Sequence, residues 1–496
     1  MPKAPPLKIL VASSEVAPFA KTGGLADVAG SLPKALAYLG HEVCIVMPKY
    51  KIVDVEKWSL LPLLPEMVVN FDKNTYRGQI LRCSYPGTRI PVYFVQQDEF
   101  FNRETLYTEF GKDYPDNAER FAFFCMAALW MLKGLDWSPD IIVCNDWQTS
   151  LIPVYLKSNP LLDDDPFYNR IKVLLTVHNL AYQGLFAAEV IPRIGLSWDM
   201  FKPQGMEFFG KVNLLKGGLL FADALNTVSR QYAREIQTAE CGCGLEGVLQ
   251  MRSKDLVGIL NGIDASVWNP NVDKKIAENY SAKHPGRKQF CKAELQRRCN
   301  LPQNDDVPVL GIISRLTDQK GFDLIAEVID EIMKLDLQLV VLGTGELRYH
   351  EMLEEIGRVY PNKARVVLAF DDDFAHQIEA GANMFLMPSR YEPCGLNQLY
   401  SLRYGAVPIV RKTGGLADSV VNATEASIKD GKGTGFVFTE YSGKALLNAV
   451  RTAVKFYHTD KAAWKKLMAN GMAKDFSWTA SAKEYVKLFK KMIQAE

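Results

Sequence analysis

The 496-residue chain has no apolar run near the ~20 residues that a bilayer-crossing helix needs. Charge of one sign is missing too, with 58 Lys and Arg against 57 Asp and Glu. A near-neutral chain lacks the basic footprint of a nucleic-acid or anionic-membrane binder, so neither partner is expected. Cysteine is sparse, odd in number at nine, and scattered through apolar segments such as IIVCNDW and FFCMAAL. That usage excludes a disulfide scaffold and indicates reduced, buried thiols in a cytosol-like compartment. Cys241 and Cys243 form a C-x-C without the second ligand pair of a zinc site. The opening MPKAPPLKIL shows neither a secretory signal's apolar core nor a long Arg/Ser-rich leader. A Walker P-loop is missing. Gly343-Thr344-Gly345 begins a dinucleotide fingerprint, but Arg348 stands where its third glycine belongs, which argues against hydride transfer. The aspartate runs at 163–165 and 371–373 are joined by no histidine, so they are expected as solvated turns and no metal is expected.

What the sequence does have is a repeat. KTGGLAD occurs at residues 21–27 and again at 412–418. Upstream of the first copy, Ile9–Ala12 is a short apolar run suited to a buried parallel strand. Downstream, Leu25, Val28, Leu32, Leu36 and Leu39 recur at helical spacing up to Gly40, a C-cap, and EVCIVMP follows as a strand. This is one βαβ unit. The second copy follows the strand-like VPIV and precedes another helix start. Both copies therefore sit where a strand's carboxyl end turns into a helix. Anions bind there because backbone N–H groups and the helix dipole favour negative charge.

Strand-like runs recur in two series. The first continues through Ile141–Cys144, Val173–Val177, Ala224–Val228 and Leu256–Leu260; the second comprises Val309–Ile313, Leu339–Leu342, Val366–Ala369, Met384–Met387 and Val407–Val410. A polar stretch at 266–306, with Pro270, Pro285 and Pro302, separates them. The pattern predicts an α/β protein of two doubly wound domains with a cleft between them, divided near Asn261-Gly262-Ile263-Asp264. Trp478, Ala482, Tyr485, Phe489 and Met492 share one helical face, so a final helix is expected to dock on a domain.

Polar groups cluster after several strands: Asn145-Asp146-Trp147-Gln148 after Ile141–Cys144, His178 and Asn179 after Val173–Val177, SRLTDQKG after Val309–Ile313, and SRYEPCGL after Met384–Met387. Arg315 can fork onto two phosphate oxygens and Lys320 adds a compact charge, so together they suit a diphosphate without a metal; the plain alternative is two surface cations. Glu392 either accepts sugar hydroxyls or pairs with a helix N-terminus. His178 is either a core histidine or a site residue, and Asp146 carries the same two readings. Glu15 and Asp27 either orient the first glycine loop or bind hydroxyls.

Taken in order, SSEVAPFAKTGGLADVAGSLPKAL, NDWQTSLIPVYL, TVHNLAYQG, GLEGVL, NGIDASVWNP, SRLTDQKG, PSRYEPCGLNQLY and VRKTGGLADSV resemble the motifs of the bacterial glycogen synthases and plant starch synthases. The likeness runs from about residue 8 to residue 480. It implies a glycosyltransferase B fold of two Rossmann-like domains, at residues 1–264 (acceptor side) and 265–476 (donor side). A helix at 477–496 would pack back on the first domain. The implied activity is retaining transfer of glucose from ADP-glucose to the non-reducing end of an α-1,4-glucan (glycogen, starch or a malto-oligosaccharide primer), with no cofactor.

By matching positions, the resemblance places Lys21, Gly23 and Gly24 at the donor diphosphate with Asp27 nearby. Arg315 and Lys320 would hold that diphosphate. Glu392 would face the glucosyl hydroxyls beside Cys394, Gly395 and Leu396. His178 would line the reacting glucose, and Asp146 and Asn261 would sit in the same cleft; Asn179 and Glu15 are further candidates for substrate binding, and Thr413 and Gly414 would anchor the distal phosphate or shape a turn. Retaining transferases of this fold often carry Glu-x7-Glu, but Tyr400 stands at the second position. A bacterial cytoplasmic protein is expected, or a plastid one if a transit peptide has been removed. The alternatives are a UDP-glucose-using glucosyltransferase, a non-catalytic glucan- or sugar-nucleotide-binding protein, and a phosphorylase, which would need a lysine-bound pyridoxal phosphate.

Overall fold

The computed structural model describes residues 5–494. They form two compact units. The first takes the chain through Val228, then Ala233–Gly262 and the helix from Trp478; the second takes Ser229–Tyr232 and Ile263–Ser477. The four-residue excursion is tied to the second unit by the Gln231 N–H, which donates to Asp418 at 3.0 Å.

The first unit carries strands β1 (Lys8–Ala12), β2 (Glu42–Pro48), β3 (Leu61–Phe71), β4 (Asn74–Ser84), β5 (Pro91–Gln96), β6 (Thr108–Glu109), β7 (Lys112–Asp113), β8 (Ile141–Asn145), β9 (Lys172–Val177), β10 (Leu185–Phe186), β11 (Glu207–Phe208), β12 (Lys211–Asn213), β13 (Ala224–Thr227) and β14 (Leu256–Gly258). Nine of them form one sheet in the order β14-β13-β9-β8-β1-β2-β5-β4-β3. Its apolar runs mark the parallel part, because a strand covered on both faces is uninterrupted in its hydrophobicity. The β3–β4–β5 edge is antiparallel and alternates in burial, so the sheet is mixed, where the strand series alone indicated only the parallel part.

The helix Gly24–Tyr38 buries Leu25, Val28, Leu32 and Leu36 on one stripe and ends before Gly40, whose φ of +95° only a residue without Cβ adopts easily. On that helix lies the final one, Trp478–Gln494. Trp478, Ala482, Tyr485, Leu488, Phe489 and Met492 join Val28, Leu32 and Leu36 in one apolar cluster. The Tyr485 hydroxyl accepts from Asn226 of β13 at 2.9 Å, which satisfies a polar tip inside that cluster.

The second unit holds β15 (Val309–Ile313), β16 (Gln338–Leu342), β17 (Ala364–Val367), β18 (Met384–Met387), β19 (Val407–Arg411) and β20 (Phe436–Phe438), all parallel, in the order β17-β16-β15-β18-β19-β20. Strand order reverses between β1 and β8 in the first sheet and between β15 and β18 in the second. Connections leave in opposite directions at such points, opening a crevice at the carboxyl ends of the two strands. Among the described residues no helix is long and apolar enough to cross a membrane.

Candidate active site

In the first sheet the loops at the reversal carry Glu15, after β1, and Asn145-Asp146, at the end of β8. Glu15 is buried, and its carboxylate accepts from the Thr22 hydroxyl, from the N–H groups of Thr22 and Gly23, the latter at 3.2 Å, and from the Tyr107 hydroxyl at 2.7 Å. It therefore holds the start of the glycine loop through its backbone donors, a use of negative charge that suits a helix N-terminus. A Cβ at Gly23 or Gly24 would meet no atom within 4 Å, so their missing side chains leave space instead of serving packing. Lys21 is half-exposed and paired with Asp27 at 2.8 Å.

The second KTGGLAD does something else. A Cβ at Gly414 would come within 1.9 Å of the Glu392 carbonyl, and one at Gly415 within 1.9 Å of the Cys394 carbonyl. The Gly415 N–H donates to the Glu392 carbonyl at 3.0 Å, and Thr413 is buried. Here the glycines admit the 392–394 backbone onto the helix Gly414–Ser419. The same seven residues make an open loop in one unit and a packed one in the other.

Asp146 sits at φ +57°, ψ −171°, a region few non-glycine residues enter. Its carboxylate accepts from the His178 N–H at 2.7 Å, tying the ends of β8 and β9 together. Burial pushes its pKa up to about 7, against the His178 and Asn179 amides that lower it. Burial also lowers the His178 pKa, to about 3, so the imidazole is neutral near pH 7. Its Nε2 lies 2.8 Å from the Asn145 Oδ1, and the Asn145 amide nitrogen donates to the Ala12 carbonyl at 2.9 Å. With the amide oriented by Ala12, the proton is assigned to Nε2, leaving Nδ1 as an acceptor. Asn179 turns its Oδ1 to the Ala181 N–H at 3.1 Å, and Asn261 is buried with its Oδ1 lacking a hydrogen-bond partner among the described residues.

A carboxyl group with a raised pKa binds more protons folded than unfolded between its two pKa values, so it withdraws stability as pH rises through that window. Asp146→Asn removes this titration. The stability of the variant relative to the parent is expected to climb from about pH 4 to about pH 7 and then level off. Denaturant midpoints across that range check it; a difference independent of pH would refute the buried titration.

In the second sheet the reversal brings together the loops after β15 and β18. Lys320 ends the short turn Asp318–Lys320, and its Nζ lies 2.6 Å from the Glu392 carboxylate, which also accepts from the Ser389 hydroxyl at 3.1 Å. Glu392 is 5% exposed, so the carboxylate end of the pair is sequestered from screening water while Lys320 stays partly open. Gly321 lets this happen: at φ +80° its absent Cβ would lie 2.2 Å from the Pro388 carbonyl. Arg315 is exposed and has no carboxylate partner among the described residues. Cys394 is buried, and Gly395, at φ +70°, precedes Leu396 at the start of the helix Asn397–Tyr404. Gly343 and Gly345 let the loop after β16 pack on Ser314 and Leu316, a structural duty in place of a dinucleotide one.

Neither aspartate run gathers a metal-ligand cluster among the described residues. Asp371 caps the helix Asp372–Gly381 by accepting from the Phe374 N–H, Asp372 and Asp373 pair with Lys275, and Asp165 pairs with Lys133. All nine cysteines are thiols.

Sequence reasoning missed Tyr107 and Asn145 as the groups that fix Glu15 and His178. Tyr107 lies outside every motif; Asn145 opens NDWQTSLIPVYL at a strand end, but nothing local shows its reach to His178, 33 residues on. It also missed Phe370, 87% exposed just beyond the carboxyl end of β17. An exposed phenyl ring on the ligand edge of a sheet is legible only once the sheet order is known.

A family model described as the starch synthase catalytic domain matches residues 8–251, and one described as glycosyl transferases group 1 matches residues 296–466. The chain is 48% identical over 497 residues to a glycogen synthase of Desulforudis audaxviator, covering 98% of this chain and 96% of the relative. A glycogen synthase of Thermosipho africanus is 48% identical, with 98% and 99% covered. The chain belongs to the glycogen synthase and starch synthase family. Its members are glycosyltransferases, and so is this protein. The catalytic domain of starch synthase IV from Arabidopsis thaliana, solved bound to ADP and acarbose, superposes with a TM-score of 0.89 at 33% identity over 99% of this chain and 100% of that one. A sucrose-phosphate synthase from Thermosynechococcus elongatus shares the fold alone, with a TM-score of 0.60 at 17% identity, covering 99% and 100%. The family fold, glycosyltransferase B, accounts for the two α/β units with their parallel-rich sheets.

Proposed function

We propose that the protein is a glycogen (starch) synthase that transfers glucose from ADP-glucose to the non-reducing end of an α-1,4-glucan with retention of configuration. The observation that carries the donor assignment is the Lys320–Glu392 pair at the strand reversal of the second sheet, with Arg315 in the same loop as Lys320. Two cations with one carboxylate among them suit a diphosphate joined to a hydroxylated sugar. The starch synthase with ADP and acarbose supports the same choice of nucleotide and glucan.

Breaking the C1–O bond of a nucleotide sugar leaves an oxocarbenium-like centre and a diphosphate of growing negative charge. Arg315 and Lys320 bind that charge more strongly in the transition state than in the ground state, which lowers the barrier. Glu392, once Lys320 turns to phosphate, accepts the sugar hydroxyls, with Cys394, Gly395 and Leu396 shaping the turn that holds it. Phe370 offers its face to the base. Lys21, Asp27 and the Gly23-Gly24 loop are assigned to donor binding, with the loop fixed by Glu15. Neutral His178 accepts a glucosyl hydroxyl at Nδ1, while Asp146, Asn179 and Asn261 hold and complete that surface. Thr413 and Gly414 act by shaping the 392–394 turn. No carboxylate is assigned as nucleophile; retention follows from attack on the leaving-group side, with a departing diphosphate oxygen taking the acceptor proton. A nucleotide sugar is made inside cells, so the reading assigns the enzyme to the cytoplasm.

The test is incorporation of labelled glucose into glycogen from ADP-glucose beside UDP-glucose, each with and without a chelator. Faster incorporation from ADP-glucose, indifferent to the chelator, is expected. Preference for UDP-glucose overturns the donor, and activity lost to the chelator and restored by Mg²⁺ overturns the metal-free clamp.

A further inference from the structure

The first unit contains two hairpins built on the same turn. β6 and β7 pair Glu109 with Lys112, leaving Phe110-Gly111 as a two-residue loop; β11 and β12 pair Phe208 with Lys211, leaving Phe209-Gly210. Both loop residues have positive φ in each case: 49° and 78° in the first, 50° and 78° in the second. Two-residue turns of this kind favour Asn-Gly or Asp-Gly, because a bulky side chain is strained in the left-handed region. Phenylalanine occupies the strained position in both. It is also the wrong residue for solvent, since Phe110 is 98% and Phe209 83% exposed. Conformational preference and solvation are thus violated together, twice, and such coincident violations mark function.

The hairpins are held rigidly at their bases. The Tyr107 carbonyl accepts from the Tyr114 N–H and the Asn117 side chain, both at 3.0 Å, and Lys216 donates to the Pro203 carbonyl at 2.8 Å and to the Glu207 carbonyl. They are also joined internally. Rings run from Tyr107 to Phe121 at 6.0 Å, to Trp147 at 5.1 Å and to Phe186 at 5.8 Å, and Phe186 pairs with Val212 of β12. This chain passes the two functional loops of the first sheet, since Tyr107 bonds Glu15 and Trp147 follows Asp146. Beside the second tip lies a cavity of about 480 Å³, lined by residues 185–189 on one side and Gly210 and Lys211 on the other.

We infer that Phe110 and Phe209 are stacking platforms for the α-1,4-glucan acceptor, carried by two hairpins that a chain of rings links past the Glu15 and Asp146 loops. A pyranose offers an apolar C–H face bordered by hydroxyls. Phe110 stands between Glu109 and Gly111-Lys112, and Phe209 meets the edge of Phe208, at 4.7 Å, before Gly210-Lys211. One or two rings bordered by charge suit a pyranose better than a protein partner, which needs a broad contiguous apolar patch. The inference rests on the glucan-extending activity proposed above.

The test uses Phe110→Asn and Phe209→Asn, singly and combined, in the full chain. Asparagine suits the turn, so thermal midpoints are expected to hold or rise. The half-saturating glycogen concentration is expected to rise about threefold to tenfold per variant, and further in the double, with the KM for ADP-glucose unchanged. Retardation of the protein in glycogen-containing native gels weakens in parallel. Unchanged glucan saturation in the double variant overturns the inference. So does a change in sedimentation without loss of glucan affinity, which would assign the rings to self-association. A parent enzyme that adds no glucose to glycogen would instead defeat the functional reading itself.

Discussion

Lys320→Ala is expected to lower kcat by about 10²–10³, roughly 3–4 kcal/mol of barrier, with the fold retained. Lys320 is the only cation paired with Glu392 among the described residues, and it ends the turn between β15 and the helix Phe322–Met333. In the resting protein Glu392 holds the ammonium in place at 2.6 Å. In the proposed reaction that ammonium meets the departing diphosphate, where its effect would exceed any on substrate binding. The loss should therefore appear in kcat more than in the KM for the donor. The helix itself is anchored by Phe322, Leu324, Ile325 and Val328 in the core, so unfolding is not the expected route of failure. Steady-state kinetics with a denaturation curve decide it: near-normal turnover in a folded variant would end the diphosphate-clamp assignment.

The two glycine loops provide the second large effect. Gly415→Ala places a methyl 1.9 Å from the Cys394 carbonyl. Backbone cannot yield there without moving the Glu392 turn, so stability is expected to fall by about 3 kcal/mol, and activity with it. Gly24→Ala puts the same methyl into open space at the first residue of a helix. Its stability should hold or improve slightly, because alanine costs less backbone entropy than glycine, while the KM for the donor rises as the methyl intrudes on the ligand's space. Denaturant midpoints and donor KM for the two variants separate the duties. Equal destabilisation by both would show that the loops are structural alike.

Much of the framework was readable in the chain itself. β1, β8, β15 and β18 are uninterrupted apolar runs because both faces of a parallel strand are covered, and the helix after β1 shows its buried stripe in Leu25, Val28, Leu32 and Leu36. The β3–β4–β5 edge was not readable in the same way, since one half-exposed face breaks the run, and Pro62 and Pro65 obscure β3 further. The short hairpins at residues 108–113 and 207–213 hold too few residues to show a period at all. Of the candidate residues, those within ordered motifs could be named from the sequence. The groups that position them, Tyr107 and Asn145, lie 92 residues from Glu15 and 33 from His178, and only the sheet order makes them neighbours.

By itself the sequence determined which segments alternate as strand and helix and which loops carry cations, carboxylates and glycines, because periodicity and turn chemistry are local properties. Only the tertiary structure decided what each of those residues packs against and bonds to. The two copies of KTGGLAD are indistinguishable as sequence; one lies against empty space and the other against the carbonyls of Glu392 and Cys394, and that difference comes wholly from chain brought in from elsewhere.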